Sequence, residues 1–382
     1  MNRIRRNIRE SMLLAGCCML LTACGGQEGQ EDRTTPTPSV APSVSESPEP
    51  TAGPDSGETQ PEPTAEPTTE NTQPEPTAGT DSGDTQPGTE ADEPDDAEEL
   101  AENEVVYDEV LEQYWYKGIC YQTTGEDTVS VVDYYDVTLE QVVIPDVICY
   151  QGRDYRVTVI EDEVFSYFYG VVSVVIGNYV EKIGDTAFQG CADLERIEFG
   201  TGLKMIGDGA FAYCDVLTQI ELPEGVTTLG KEVFCGCTAL ESIRLPETLK
   251  SIGDETFFDC AALTEIVLPA SLETIPYGMF TNCEGLTDVV LPEGLLVIET
   301  EAFWSCGALE SIRLPESLVM IADRCFYSAG LQSVTMPQKQ VSVGEGIFDF
   351  CNALEKVYVH PESKDYYENA FAEYNLEFEP VQ

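Results

Sequence analysis

Apolar residues recur with a fixed period from Phe165 to Phe371. A phenylalanine returns every 23 residues, with one step of 22, and the chain between follows the frame LxxIxLPxxLxxIGxxxF. The LxIxL part alternates apolar and polar positions and predicts a short strand, which the proline ends because it cannot donate to a ladder. The repeated residues are Phe165, Phe188, Phe211, Phe234, Phe257, Phe280, Phe303, Phe326, Phe348 and Phe371.

One repeat of this kind cannot bury its own Leu, Ile and Phe side chains, so successive copies must stack on each other. A fixed period of about this length with an LxxLxL core is typical of leucine-rich repeats. We therefore predict an α/β-type repeat solenoid with a 23-residue period, preceded by a disordered linker. It should have mostly short parallel strands and an irregular or short helical convex side. The solenoid, with a C-terminal cap, is assigned to residues 161–382.

The residues before the first repeat also have the pattern of strands. Alternating apolar residues lie between Gly118 and Pro145, and Gly125 and Asp127 mark a turn within them. We predict an N-terminal β cap over residues 105–160, which covers the apolar end of the solenoid.

The first residues have the pattern of an export signal. Four arginines within the first nine residues precede an apolar run that is too short for a membrane-spanning helix. Leu21, Thr22 and Ala23 then precede Cys24, and this sequence resembles the lipobox of bacterial lipoproteins. The resemblance implies that residues 1–23 are removed as a lipoprotein signal peptide. It also implies that Cys24 carries the lipid that attaches the protein to a membrane.

Residues 24–104 comprise the lipidated cysteine and an acidic linker rich in proline and threonine. From Gly25 to Glu104 there are 13 prolines, 22 acidic residues and one basic residue, Arg33. This composition cannot bury enough apolar surface to offset its ordering entropy, so we predict disorder. The formal net charge of the whole chain is −51. Such a protein repels phosphate backbones, so nucleic acid is not expected as a partner.

The repeated frame resembles the BspA-like leucine-rich repeat family of surface proteins. The resemblance covers residues 118–375 and rests on three features of each repeat: the Phe, the Cys three residues later and the LxxIxLP strand. One departure is the missing asparagine that follows LxxLxL in other leucine-rich repeats, since Gly225, Thr248 and Gly294 stand there. We therefore expect other groups to satisfy the backbone at this turn.

Seven cysteines stand three residues after a repeat phenylalanine. Equivalent positions in a solenoid form one column, the count is odd, and a tight turn needs small buried side chains. We therefore expect buried free thiols here, although an exported protein can form disulfides. The off-column pairs Cys120 with Cys149 and Cys235 with Cys325 stay open to either state. The column comprises Cys191, Cys214, Cys237, Cys260, Cys283, Cys306 and Cys351.

The sequence contains no familiar catalytic arrangement. Its single histidine, His360, stands where the repeat proline usually stands, and we expect it in a surface turn. GxSxG, phosphate-loop and HExxH motifs are absent, and the cysteines lack the CxxC spacing of zinc sites. We therefore expect no enzyme activity, no catalytic residue, no metal and no cofactor. An enzyme that uses a pair of carboxylates is the alternative.

Outward-pointing strand residues form a first candidate binding surface. In the column ten residues after each phenylalanine, two valines are flanked by two arginines in an otherwise acidic protein. We predict binding by Arg244, Val267, Val290 and Arg313. The alternative is that valine is present as a strand former and arginine as a solubilising residue.

Three aromatic residues directly after the repeat phenylalanine form a second candidate surface. Phe258, Trp304 and Tyr327 replace the small or polar residues of other copies. Exposed aromatic rings are enriched at binding hot spots and pack on sugar faces. The alternative is that these rings pack over the neighbouring turn of the convex side.

The family resemblance implies a function in binding host matrix, host cells or other bacteria. We therefore expect a monomeric cell-surface lipoprotein that binds an extracellular protein in an adhesin-like manner. The alternative is a glycan-binding lipoprotein that captures polysaccharide. The expected location is the extracellular face of the bacterial cell membrane or outer membrane. No wall-sorting motif is visible, so the expected anchor is the lipid on Cys24.

Overall fold

The structure, a computed structural model, describes residues 104–381. In this part of the chain there are 24 short strands and one helix. In chain order they are β1 (Val106–Asp108), β2 (Gln113–Tyr116), β3 (Ile119–Thr123), β4 (Thr128–Tyr134), β5 (Gln141–Ile144), β6 (Val147–Tyr150), β7 (Arg153–Ile160), β8 (Ser173–Ile176), β9 (Lys182–Ile183), β10 (Arg196–Glu198), β11 (Met205–Ile206), β12 (Gln219–Glu221), β13 (Thr228–Leu229), β14 (Ser242–Arg244), β15 (Glu265–Val267), β16 (Thr274–Ile275), β17 (Asp288–Val290), β18 (Val297–Ile298), β19 (Ser311–Arg313), β20 (Met320–Ile321), β21 (Ser333–Thr335), β22 (Ser342–Val343), β23 (Lys356–Val359), α1 (Lys364–Ala370) and β24 (Glu377–Pro380).

Antiparallel strands form the N-terminal end of the described region. β1 to β4 pair antiparallel in chain order, and β6 pairs antiparallel with β7. Rings of Tyr107, Tyr114, Tyr150 and Tyr155 pack together there, with centroid distances of 4.9 to 5.6 Å. β4 then pairs parallel with β7, which begins a parallel ladder. β5 and β7 pair with strands of the repeats, so part of residues 105–160 continues the ladders of the solenoid. The assignment of these residues to a separate cap stays a prediction.

The LxIxL strands form the first ladder of the solenoid. It has three parallel runs, in the orders β5-β8-β10, β12-β14-β15-β17 and β19-β21-β23-β24. The register advances by one repeat at each step, as Ile220 beside Ile243 illustrates. This confirms the predicted solenoid of stacked parallel strands. Neither β10 and β12 nor β17 and β19 are hydrogen-bonded neighbours, so the ladder is interrupted twice within the described residues.

A second ladder runs through the LxxIG part of the repeats. β7, β9, β11 and β13 pair parallel in that order, and β16, β18, β20 and β22 form a second run. Most of these strands are two residues long. The sequence prediction placed one strand in each repeat, so this ladder is an addition to it. An alternating pattern cannot be recognised in two residues.

The phenylalanines form the core of the solenoid. Successive rings from Phe165 to Phe348 stack with centroid distances of 5.0 to 5.9 Å and interplanar angles of 3° to 22°. Each of these rings is buried, as are most of the leucines and isoleucines of the frame. Every repeat therefore completes its core with side chains of the repeats before and after it.

The segment around each repeat phenylalanine, here called the phenylalanine turn, is irregular. The phenylalanine turns from Phe165 to Phe348 contain no helix, and α1 lies in the last repeat, directly before Phe371. The residues two before and two after each phenylalanine from Phe165 to Phe348 have positive φ. The backbone of one turn is hydrogen-bonded to the next, for example by the Phe257 N–H donating to the Met279 carbonyl over 3.0 Å. The irregular side expected from the sequence is therefore confirmed.

Hydroxyl groups satisfy the turn where other leucine-rich repeats place asparagine. The Thr248 Oγ1 donates to the Val226 carbonyl of the preceding repeat over 2.9 Å. Ser271 and Ser317 make the equivalent bond to Leu249 and Leu295. The bond joins two repeats, so it stabilises the stacking as well as the turn.

Glycine in the IG pair permits close approach between repeats. The Asp208 N–H donates to the Asp185 carboxylate over 3.0 Å. In the preceding repeat, the Asp185 N–H donates to the Asp162 carboxylate over 2.9 Å. A Cβ at Gly207 would lie 2.7 Å from the Asp185 backbone nitrogen. A side chain at this position therefore has no space, which explains why glycine recurs in the frame.

The last residues close the C-terminal end of the described solenoid. β24 extends the first ladder beside β23, and the Phe371 ring meets Phe348 edge to face at 5.2 Å. From α1, the Tyr367 hydroxyl donates to the Lys339 carbonyl over 2.6 Å. These contacts cover the apolar end of the last repeat.

The predicted signal peptide and linker, and therefore Cys24, lie outside the described residues. Their boundaries stay predictions. Within residues 104–381 we find no helix that has the length and apolar character needed to cross a membrane.

Candidate binding surfaces

The first ladder carries the predicted patch on its outward-facing residues. Arg244, Val267, Val290 and Arg313 end the strands β14, β15, β17 and β19, and all four side chains are exposed. Val267 is 61% exposed and Val290 49% exposed, and the two valines are directly paired in register. The arrangement is a small apolar surface with a cationic side chain at each end.

The two arginines differ in their surroundings. Arg244 forms an ion pair with Glu221 at 2.6 Å and a longer one with Glu224 at 3.6 Å. All these side chains are more than half exposed, so each pair contributes little to stability. Arg313 has no ion pair with another residue of the described region. The charge of Arg313 is therefore more available to a partner than that of Arg244.

A cavity opens where the first ladder is interrupted between β17 and β19. Its volume is about 290 Å³, and Asp288, Val290 and Glu293 line it on one side. Ser311 and Arg313 line the other side. Half of the predicted patch thus borders a concave surface that offers an apolar side chain, two carboxylates and a guanidinium.

The predicted aromatic residues lie on the phenylalanine turns. The Trp304 and Tyr327 rings stack at 4.0 Å with an interplanar angle of 19°. Phe258, Trp304 and Tyr327 are all half-buried. Trp304 and Tyr327 cover each other, and Phe258 has no ring contact with either of them.

Phe350 continues this row and was missed in the sequence. Its ring lies 4.8 Å from that of Tyr327, and it is 63% exposed. Phe350 stands two residues after Phe348, whereas the sequence search considered only the residue directly after each repeat phenylalanine. A search that included both positions would have found it.

The second ladder carries a further apolar surface that was also missed. Leu296, Val319 and Met320 are 37%, 52% and 38% exposed on adjacent repeats. Earlier copies have Lys204 and Lys250 at the position of Leu296 and Val319. Alignment of the copies would therefore have shown that apolar residues replace lysine in the later repeats.

The cysteine column lies inside the phenylalanine turns. Each thiol from Cys191 to Cys306 donates to the carbonyl of a phenylalanine one repeat earlier, over 3.1 to 3.5 Å. Burial raises the pKa of Cys191 and of Cys237 from the usual 9.0 to about 12. The neutral thiol is therefore strongly favoured, and thiolate chemistry at this column is suppressed.

We expect slow modification of the column thiols in the native protein. A pKa rise from 9.0 to about 12 lowers the thiolate fraction of Cys237 about a thousandfold at neutral pH. Cys149 is exposed and should react first. Peptide mapping after timed treatment with iodoacetamide checks this order. Labelling of Cys237 as fast as that of Cys149 would contradict it.

The described residues contain no group of three or more His, Cys, Asp or Glu side chains arranged to hold a metal ion. His360 follows β23, and its carbonyl accepts the Ser363 N–H over 3.0 Å just before α1. It is half-buried at the turn, close to where the sequence placed it.

Stacked 23-residue repeats with two parallel ladders and a stacked phenylalanine core define a leucine-rich-repeat solenoid. The chain belongs to the family described as BspA type leucine rich repeat region, which matches residues 158–287 and 273–380. No curated protein sequence matches the chain.

The chain is similar to solved structures of bacterial leucine-rich repeat proteins. A leucine-rich repeat protein from Bacteroides ovatus is 28% identical, over 69% of this chain and 75% of that chain, with a TM-score of 0.57. A T. pallidum leucine-rich repeat protein is 25% identical, over 69% and 98%, with a TM-score of 0.45. A protein from Faecalibacterium prausnitzii, described as a leucine rich cell surface protein, is 21% identical, over 70% and 94%, with a TM-score of 0.42.

Proposed function

We propose that this protein is a cell-surface lipoprotein that binds an extracellular protein partner in an adhesin-like manner. The partner would be host matrix, a host cell surface or another bacterium. The patch formed by Arg244, Val267, Val290 and Arg313 is the proposed contact surface. The proposed role is binding, without catalysis, metal or cofactor.

The observation that carries this proposal is the exposed valine pair beside the cavity. Side chains such as Val267 and Val290 lose water-exposed apolar area when a partner covers them, which favours association. Arg313 adds a cation without an ion pair in the described region. Residues 104–381 have 48 acidic and 14 basic residues, so a cation beside exposed valines is unusual on this surface.

The proposed attachment is the lipid on Cys24, followed by the acidic linker to residue 104. A proline-rich, self-repelling chain of about 80 residues extends up to roughly 250 Å as polyproline II. Such a linker would hold the binding surface away from the membrane and give it access to large partners. The solenoid needs no partner to complete its core, and we propose a monomer.

Charge reversal on the patch tests the proposed function. Immobilised protein should capture a saturable protein partner from mucosal matrix or bacterial surface extracts, identified by mass spectrometry. Arg313→Glu should weaken capture about tenfold, because it removes a cation and adds a desolvated carboxylate. Arg244→Glu should have a smaller effect, since Glu221 and Glu224 already neutralise Arg244.

The matched control reverses two charges on the other ladder. Lys204→Glu with Lys250→Glu makes the same change of net charge as reversal of both arginines, and both lysines are exposed. Capture should persist in this control. If capture falls equally in this variant and in the double variant Arg244→Glu with Arg313→Glu, binding depends on net charge and not on the patch. Capture of polysaccharide alone would reject a protein partner.

A further inference from the structure

The position two residues after each repeat phenylalanine demands a left-handed backbone. All nine residues at this position, from Tyr167 to Phe350, have φ between 54° and 72°. Six of them are Gly, Asp, Asn or Ser. A bulky side chain in this conformation costs about 1–2 kcal/mol. An aromatic residue here therefore requires a compensating interaction.

Two of the three aromatic residues at this position have such an interaction. The Tyr167 ring lies over Gly190, where a Cβ would be 2.5 Å from the nearest ring atom. Tyr213 lies over Gly236 in the same way. The glycine of the next repeat thus gives each tyrosine a flat surface to pack on.

Phe350 lacks this support on its C-terminal side. Glu373 occupies the corresponding position of the next repeat, and Phe350 is 63% exposed. On the other side, the ring contacts Tyr327 at 4.8 Å, and Tyr327 stacks on Trp304 at 4.0 Å. The row holds Phe350 in place while leaving much of it open to solvent. Strained, exposed residues of this kind are concentrated at ligand sites.

The exposed Phe350 ring borders a cavity on the surface of the described residues. Its volume is about 410 Å³, within the usual range of small-ligand sites. Asn352 and Asn375 line it, and neither side chain has a hydrogen bond within the described region. Asp349 and Glu373 line it as well.

The Asp349 carboxylate is oriented by the C-terminal segment. It accepts a hydrogen bond from the Tyr374 hydroxyl over 3.2 Å. Its other oxygen is available as an acceptor for a ligand. The cavity thus combines one open aromatic ring, two carboxamides that donate and accept, and two carboxylates that accept.

We propose that this cavity, bounded by Phe350, Asn352, Glu373 and Asn375, is a binding site for a neutral glycan. The apolar C–H face of a sugar ring packs on Phe350, and its hydroxyl groups bond to the carboxamides and carboxylates. No basic residue lines the cavity. Sialylated, sulfated and uronic acid sugars are therefore repelled, whereas neutral hexoses are not.

This site is separate from the valine and arginine patch of the first ladder. It would give the protein a second class of ligand, so its failure would leave the proposed protein binding intact. A basic peptide is the competing occupant, since cations bind to aromatic faces and carboxylates. Amide groups without intramolecular bonds around one open ring favour sugar hydroxyls, which need both donors and acceptors.

The experiment compares ligand classes and variants on one surface. Purified full-length chain is applied to immobilised neutral oligosaccharides, to their sialylated and sulfated forms, and to a lysine- and arginine-rich peptide. The key variant is Phe350→Asn, because Asn282 occupies the equivalent turn position and asparagine tolerates positive φ. This variant relieves the backbone while removing the ring. Asn375→Ala is a second variant, and Tyr169→Ala controls for another exposed aromatic residue.

We expect binding to one or more neutral oligosaccharides by the wild type and by Tyr169→Ala. Phe350→Asn should lower the affinity about tenfold or more without lowering the thermal unfolding midpoint. Asn375→Ala should lower it to a smaller extent. Failure to bind any neutral oligosaccharide, binding unaffected by Phe350→Asn, or binding confined to anionic sugars or the basic peptide would each overturn the proposal.

Discussion

Replacement of Phe257 by alanine should lower the free energy of unfolding by about 3–5 kcal/mol. Phe257 is fully buried in the middle of the column, with its ring 5.8 Å from Phe234 and 5.7 Å from Phe280. Truncation removes ring contacts to both neighbouring repeats and leaves a cavity between them. Urea unfolding followed by circular dichroism measures the change.

Tyr169→Ala provides the comparison for Phe257→Ala. Tyr169 is 54% exposed, and its truncation should change stability by less than about 0.5 kcal/mol. Similar effects of the two substitutions would mean that the stacked rings do not form the core. Each repeat contacts only its neighbours, so loss of Phe257 should weaken the repeats around it most. Hydrogen exchange of the variant can show this locally.

Replacement of Gly207 by alanine should lower stability by about 3 kcal/mol. The new Cβ would lie 2.7 Å from the Asp185 nitrogen, so two repeats must separate. Separation also strains the hydrogen bond from the Asp208 N–H to the Asp185 carboxylate. Overpacking and a weakened hydrogen bond between repeats therefore act together. Thermal and urea unfolding measure the loss.

Gly307→Ala is the matched control for this substitution. The nearest atom to a Cβ at Gly307 is the Glu284 carbonyl oxygen at 3.9 Å, an ordinary contact. This change should stabilise the protein by about 0.4–1 kcal/mol, because it reduces the freedom of the unfolded chain. If Gly207→Ala leaves the stability as high as Gly307→Ala does, the repeats do not approach each other as closely at Gly207 as described.

The repeat frame predicted the fold because its physical basis is local and repeated. Phe257 and its counterparts have one spacing, and side chains at one spacing must meet in one column when copies stack. The LxIxL strands followed from alternation in the same way. By contrast, a two-residue strand such as Thr228–Leu229 has too few residues to show any period.

The candidate site was only partly predictable from the sequence. Register places Glu221 beside Arg244, so their ion pair follows from the spacing. The cavity beside Arg313 does not, because the frame gives no sign that β17 and β19 separate. Phe350 was missed because only the residue directly after each repeat phenylalanine was considered. The cavity beside Arg313 lies where the hydrogen-bonded ladder is interrupted, although the repeat frame continues there.

The most direct test of the proposed binding surface is a hydrogen exchange footprint of the chain with its captured protein partner. Amides of the first-ladder strands β14, β15, β17 and β19, which end at Arg244, Val267, Val290 and Arg313, should exchange more slowly in the complex. Amides near Lys204 and Lys250 should not change. Protection confined to the second ladder, or to the phenylalanine turns, would contradict the account and place the partner on another face.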